Sequence, residues 1–252
     1  PMVSWLFYLG GFLEPFLHSV RWPAVILGHL VLGVWYLILK DSISLEKYRT
    51  WIWLVLFSPL LGFGSIIITP DLPVVFFWSL SLALALKALN TKALHFYALL
   101  GAALGLGFCA KYHIVLFIPC LLLYIFAENK WKEIRWNGVL STIVTGLIFC
   151  LPVILWNVQN GFASFEFQLK HGLEKSSYNI EWTTSYIIGQ ILLLFPLMFW
   201  AALRAHTPKD LRWMYYFGWG PILFFLLTSF RASTEANWPI VGYPAVLALA
   251  LF

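Results

Sequence analysis

WNGVLSTIVTGLIFCLPVILW, residues 136–156, is the stretch that decides the architecture. No Asp, Glu, Lys or Arg interrupts it. At about 1.5 Å per residue a helix of this length reaches about 30 Å, the thickness of a bilayer's hydrocarbon core. A strand there would leave backbone groups unpaired in lipid, so the spanning element has to be a helix.

The same reading extends outward along the chain. Residues 22–39, 51–69, 93–110, 182–203 and 213–230 are equally free of those four residue types. Residues 72–86 and 112–127 are shorter versions, and 236–252 starts one more. Nine spans are therefore expected, in an all-α, polytopic transmembrane helical bundle. The chain has 252 residues, of which 61% are hydrophobic and 11% charged, against about 25% charged in soluble domains. Mean hydropathy is +0.83. The three cysteines, Cys109, Cys120 and Cys150, fall inside predicted spans with no metal-ligand spacing, which suits small apolar packing residues. The chain starts at Pro1 and stops within an apolar run, so a single transmembrane domain over 1–252, cut from a longer protein, is expected.

Charge assigns the sides. Alternating spans place Lys40, Lys47, Arg49, Lys87, Lys92, Lys130, Lys132, Arg135, Arg204, Lys209 and Arg212 on one side, leaving five basic residues on the other. The positive-inside rule puts the first group in the cytoplasm. Net charge is then +6 inside and −1 outside, which makes up the total of +5. Topology accounts for the basic balance, and no nucleic-acid partner is called for. Two outer segments differ from ordinary loops. Residues 1–21 mix aromatics with Gly10 and Gly11 and read as a juxtamembrane segment. Residues 157–181 combine Phe162, Phe165, Phe167 and Leu169 with Glu166 and Lys170, as an outer loop with a juxtamembrane helix. Gly101, Gly105 and Gly107 give span 93–110 a small-residue face for close packing.

Ionisable groups at the membrane edge are costly and so become the candidate site. Asp71 sits between Pro70 and Pro73 where one span gives way to the next. Its plain structural role is a helix N-cap, and a capping carboxylate is also a pre-positioned one. Lys111 lies in the tight Lys111-Tyr112-His113 turn, either as a snorkelling lysine or as a point-charge clamp for phosphate. Glu235 and Trp238 close the outer end of the last spans, as a polar loop with a belt tryptophan or as part of a site. His171 in the outer loop reads as a solvated histidine or a ligand contact, and His29 as a packing residue within a span. HExxH, GxSxG, Walker and CxxC patterns do not occur.

Taken in order, Pro1-Met2-Val3-Ser4-Trp5, Val20-Arg21-Trp22-Pro23-Ala24, Ile68-Thr69-Pro70-Asp71-Leu72-Pro73, Gly105-Leu106-Gly107-Phe108-Cys109-Ala110-Lys111-Tyr112, Leu151-Pro152-Val153-Ile154-Leu155-Trp156-Asn157, Phe162-Ala163-Ser164-Phe165 and Glu235-Ala236-Asn237-Trp238-Pro239 cover nearly the whole chain. This ordered set resembles the polyprenyl-phosphate-sugar-dependent glycosyltransferases of the protein O-mannosyltransferase and aminoarabinose transferase family, which have the GT-C fold. The resemblance implies an inverting transfer of a sugar from a polyprenyl-phosphate donor to an acceptor hydroxyl or phosphate on a lipid, glycan or protein. A carboxylate serves as base on the periplasmic or extracellular face, in a bacterial inner membrane. Cations or a divalent metal ion stabilise the departing phosphate. By the same resemblance Asp71 is the catalytic acidic residue of the second outer loop. Lys111, Tyr112, Arg21, Asn157, His171, Glu235 and Trp238 bind the donor phosphate or substrate. The family's first acidic pair is expected upstream of Pro1, after one further helix.

Two other classes compete. A transporter or lipid flippase would place charges at the bilayer midplane and break spans in paired halves, whereas the charges here gather at one edge. A structural membrane subunit would tolerate Asp71→Asn without loss of activity.

Overall fold

The computed structural model describes residues 1–173 and 178–252, without the side chains of residues 17 and 169–173. Among the described residues there are helices and no strands. In chain order they are α1 (Met2–Leu17), α2 (Trp22–Leu39), α3 (Leu45–Phe57), α4 (Asp71–Thr91), α5 (Leu94–Ala110), α6 (Phe117–Ala127), α7 (Trp136–Gln159), α8 (Ala163–Leu173), α9 (Ile180–Leu193), α10 (Pro196–Arg204), α11 (Trp213–Thr228) and α12 (Tyr243–Leu249). Short 3-10 turns join several of them, including Tyr112–Leu116 between α5 and α6 and Trp238–Gly242 before α12.

Local chemistry sets most of the boundaries. Pro23 opens α2, where its missing N–H costs nothing. Ser44 caps α3, its hydroxyl accepting the Lys47 amide at 3.3 Å. Asn179 does the same for α9 through the Glu181 amide at 2.9 Å. Among the described residues α2, α4 and α7 are long and apolar enough to cross a bilayer, and α9 with α10 makes a fourth if the pair counts as one. Residues 94–110, 112–127 and 238–249 form shorter apolar helices.

Two expected spans are interrupted. Residues 51–69 do not continue as one helix: α3 ends at Phe57, and the chain turns through a 3-10 segment, Phe63–Ile66. Pro59 accounts for the stop, because it pushes Ser58 into the extended region, φ −60° and ψ 126°. Residues 182–203 are likewise two helices, bent by 92° between α9 and α10. Pro196 has no N–H to donate, and Phe195 before it takes φ 60° and ψ 124°, outside any helical region.

Aromatic side chains fill much of the core. The Trp35 ring stacks on Trp51 with centroids 5.3 Å apart, and Trp213 leans on Trp35 at 5.9 Å. Both fully buried indoles satisfy their N–H groups, Trp35 on Ser79 Oγ and Trp51 on the Pro244 carbonyl, each at 2.9 Å. Elsewhere helix backbones approach closely. Gly101 and Gly105 on α5 face α7, where a Cβ at Gly101 would run into Thr145 Oγ1 and the Thr142 carbonyl, and one at Gly105 would lie 2.5 Å from the Gly146 carbonyl. Thr142 and Thr145 then reach back across the seam to the Tyr97 and Ala98 carbonyls, each at 2.9 Å. Of the small-residue face expected on residues 93–110, Gly101 and Gly105 form this seam, while Gly107 faces Phe77 and Ile114.

Candidate active site

The site starts at a helix end. Asp71 is the first residue of α4, with Pro70 at the cap position, and its side chain caps nothing. The N-cap role expected from sequence is therefore corrected: the flanking prolines start the helix without help from the carboxylate. That frees both oxygens for partners from distant segments. Lys111 Nζ donates to Asp71 Oδ1 at 2.6 Å, and Asn237 Nδ2 donates to Asp71 Oδ2 at 2.9 Å. The ion pair is mostly enclosed, with side-chain exposures of 20% for Lys111 and 19% for Asp71, so water screens it less than it would a surface pair.

Lys111 owes its position to a break in helical geometry. α5 ends at Ala110, and Lys111 is extended, φ −155° and ψ 136°. Tyr112 opens the 3-10 turn that follows, and the two side chains find partners on different elements. Lys111 turns towards α4, and Tyr112 turns towards α7 and α8. The Tyr112 hydroxyl lies 2.7 Å from Ser164 Oγ, and Ser164 Oγ donates to Asn157 Oδ1 at 2.7 Å. Asn157 is fully buried near the end of α7, and its Nδ2 donates to the Val153 carbonyl at 3.0 Å. These residues line one side of a cavity of about 610 Å³, whose walls include Ser4 and Trp5 of α1 and Pro152 and Trp156 of α7.

His113, the third residue of the turn, forms an aromatic wall. Its ring sits 5.0 Å from Phe225 and 5.4 Å from Trp238, and Phe225 and Trp238 are 5.4 Å apart. Trp238 is held by its own loop: its Nε1 donates to Glu235 Oε2 at 3.1 Å. The loop is anchored from below by Gln190, which is 1% exposed. Its Nε2 donates to the Ala236 carbonyl at 2.9 Å, while its Oε1 accepts the Tyr243 hydroxyl at 2.8 Å. That buried pair fixes the backbone next to Asn237.

The sequence-derived candidates divide accordingly. Asp71 and Lys111 meet directly; Tyr112 and Asn157 meet through Ser164; Trp238 joins by way of His113. Glu235 is exposed and serves Trp238 rather than Asp71. Arg21 is exposed at the start of α2, with its backbone N–H on Ser19 Oγ at 3.2 Å, and no described contact brings it to Asp71 or Lys111. The His171 side chain lies outside the described residues, as do residues 174–177. Asn237, Ser164, His113 and Gln190 are added by the structure. Asn237 and Ser164 stand inside the motif segments named above, whereas His113 and Gln190 carried no motif signal.

Among the described residues no three His, Cys, Asp or Glu side chains converge on one point. Around Asp71 there is one carboxylate, with both oxygens already engaged by nitrogen donors. Such a donor set does not fit a divalent ion, and no step is assigned to one.

Comparison with known proteins identifies the family and the fold. A family model described as dolichyl-phosphate-mannose-protein mannosyltransferase matches residues 1–156, more than half of the chain. Two solved structures of ArnT from Cupriavidus metallidurans share the fold. The one bound to undecaprenyl phosphate has a TM-score of 0.74 at 19% identity, and the apo form 0.69 at 21%. Both matches cover 100% of this chain and 49% and 48% of the respective ArnT chains, so this chain spans about half their length. No curated protein sequence matches it. With the all-helical bundle, the apolar spans and the match over residues 1–156 in agreement, the chain belongs to the dolichyl-phosphate-mannose-protein mannosyltransferase family, a family of membrane glycosyltransferases.

Proposed function

We propose that this chain is the membrane domain of a glycosyltransferase that moves a sugar from a polyprenyl-phosphate donor to an acceptor hydroxyl or phosphate on the outer face of a bacterial inner membrane. The observation that carries this reading is the Lys111–Asp71–Asn237 group, assembled from three distant segments. In inverting transfer the nucleophile attacks the anomeric carbon as the phosphate leaves, and negative charge grows on the leaving oxygen. A cation already fixed opposite that charge stabilises the transition state without reorganising. Lys111 is suited to that task as a point charge. Asp71, held by Asn237, keeps the ammonium aimed and lowers the cost of enclosing it in a poorly hydrated place. The family resemblance makes Asp71 one of two acidic residues. With both oxygens occupied, its part here is to position Lys111. Undecaprenyl phosphate bound to ArnT, which has the same fold, supports a lipid-phosphate donor.

The test is sugar transfer by the full-length protein in proteoliposomes. Lys111→Gln and Asp71→Asn should each lower transfer about 10²-fold or more, in the range for loss of a pre-set charge, with membrane expression unchanged. Transfer at the wild-type rate in either variant would remove that residue from the mechanism.

A further inference from the structure

Basic residues are common on the inner side of a membrane protein, and several of those found here have a local partner. Arg212 pairs with Glu128 at 3.4 Å, Lys130 with Glu133 at 2.9 Å, and Lys47 donates to the Leu251 carbonyl at 2.8 Å. The place where the α4–α5 turn meets the α6–α7 loop is different. Residues 87–92 and 130–135 hold five cations and one carboxylate, and that carboxylate, Glu133, is engaged by Lys130. Among the described residues none of Lys92, Lys132 and Arg135 pairs with an acid.

The two segments are laced so that these cations stay together. Lys92 Nζ donates to the Lys132 carbonyl at 2.9 Å, and the Arg135 guanidinium donates to the Lys92 carbonyl at 3.1 Å. The Arg135 amide donates to the Tyr97 hydroxyl at 3.0 Å, which ties the loop to α5. Carbonyls orient the two cations without neutralising them. Lys92 also takes φ 55° at the end of α4, a left-handed position where glycine or asparagine is the cheaper residue. Like charges held side by side repel, so a cluster with no free acid is stabilised when an anion sits among its members.

Depth says which anion. Trp131 and Trp136 flank the cluster and are 43% and 71% exposed. Exposed tryptophans at the ends of membrane helices sit at the level of the lipid headgroups, and Trp136 opens α7, which is long and apolar enough to cross the bilayer. The cations between these two rings are therefore set at the plane of the phosphodiesters. Lys92, Lys132 and Arg135 are all exposed, so a headgroup reaches them without rearrangement.

We infer that the junction of the α4–α5 turn and the α6–α7 loop is a binding site for the phosphodiester of an anionic phospholipid, at the other end of α4 from Asp71. It stands on the lacing of the cations and on their depth, and is independent of the transfer reaction.

The experiment measures phosphatidylglycerol binding to the full-length protein by native mass spectrometry, with phosphatidylcholine as the zwitterionic probe and inorganic phosphate as competitor. Wild type should bind phosphatidylglycerol more tightly than phosphatidylcholine. Lys132→Gln and Lys92→Gly should each weaken phosphatidylglycerol about fivefold, the scale of one basic residue near an anionic leaflet, and leave phosphatidylcholine unchanged. Lys132 makes no described side-chain hydrogen bond, and glycine suits the positive φ at position 92, so both variants keep the fold. Lys40→Gln and Lys209→Gln remove exposed cations of the same side outside the cluster and should stay within about twofold of wild type. The inference is overturned if wild type shows no preference for phosphatidylglycerol, or if Lys132→Gln and Lys92→Gly both bind it as wild type does. It is overturned equally if Lys40→Gln and Lys209→Gln weaken it as much, which would reduce the effect to the overall charge of that side. Displacement of phosphatidylglycerol by an equal concentration of inorganic phosphate would make this a site for a free anion, and would overturn it as a lipid site.

Discussion

Asn237 donates to one oxygen of Asp71 while Lys111 takes the other, so the carboxylate is held in a fixed plane by two nitrogens from different parts of the chain. Removing the amide leaves Asp71 free to turn and Lys111 free to follow it. Asn237→Ala should therefore lower transfer about 10- to 100-fold, the equivalent of the ~1.5–3 kcal/mol carried by a hydrogen bond to a charged group. Asn237→Asp should be worse, because it sets a second negative charge beside the first. Steady-state kinetics in proteoliposomes would show both effects as a fall in kcat, and an unchanged kcat in both variants would mean that the amide does not matter. At this scale the sequence was informative about Asp71 and Lys111, because charges at a membrane edge stand out against apolar neighbours. It singled out Glu235, whereas the neighbour that reaches Asp71 is Asn237. That contact was not legible for a physical reason: charge is visible in sequence, whereas the direction in which a loop residue points depends on a buried pair, Gln190 and Tyr243, more than 40 residues from one another. His113 was legible only as part of a turn, since its aromatic neighbours come from α11 and the loop after it.

Helices were legible where apolar runs ended at obvious punctuation, as in α2 and α7, and misread at two prolines, although Pro152 in α7 and Pro221 in α11 lie inside continuous helices. Pro59 and Pro196 each divide a stretch whose composition looks continuous, because hydropathy records the solvent and not the backbone hydrogen bonds. Packing between α5 and α7 gives a test at this scale. Gly101→Ala should destabilise the protein by about 1–3 kcal/mol, because the new methyl meets helix backbone that cannot step aside. Gly33→Ala on α2 meets nothing within 4 Å and should stabilise by about 0.5–1 kcal/mol. Thermal unfolding in detergent would separate the two, and equal melting temperatures would mean that the seam is not tight.

Across the whole molecule the charge asymmetry makes a prediction about sides. Asn160, just past α7, belongs with the outer segments, and Lys209, before α11, with the basic inner ones; both are exposed. The three native cysteines are buried or half-buried. A membrane-impermeant maleimide should label Asn160→Cys in intact cells, and Lys209→Cys only after permeabilisation. The reverse pattern would invert the topology and move the candidate site to the cytoplasm. One feature of the fold ties the two halves of the site together. Lys111, extended, and Tyr112, the first residue of the following 3-10 turn, are successive residues, so a single peptide joins the Asp71–Lys111–Asn237 group to the Tyr112–Ser164–Asn157 chain. A displacement of either residue's Cα is therefore felt by both groups. Thermodynamic linkage then demands reciprocity: whatever factor an occupant on the Lys111 side applies to affinity in the cavity, an occupant of the cavity applies back to the Lys111 side.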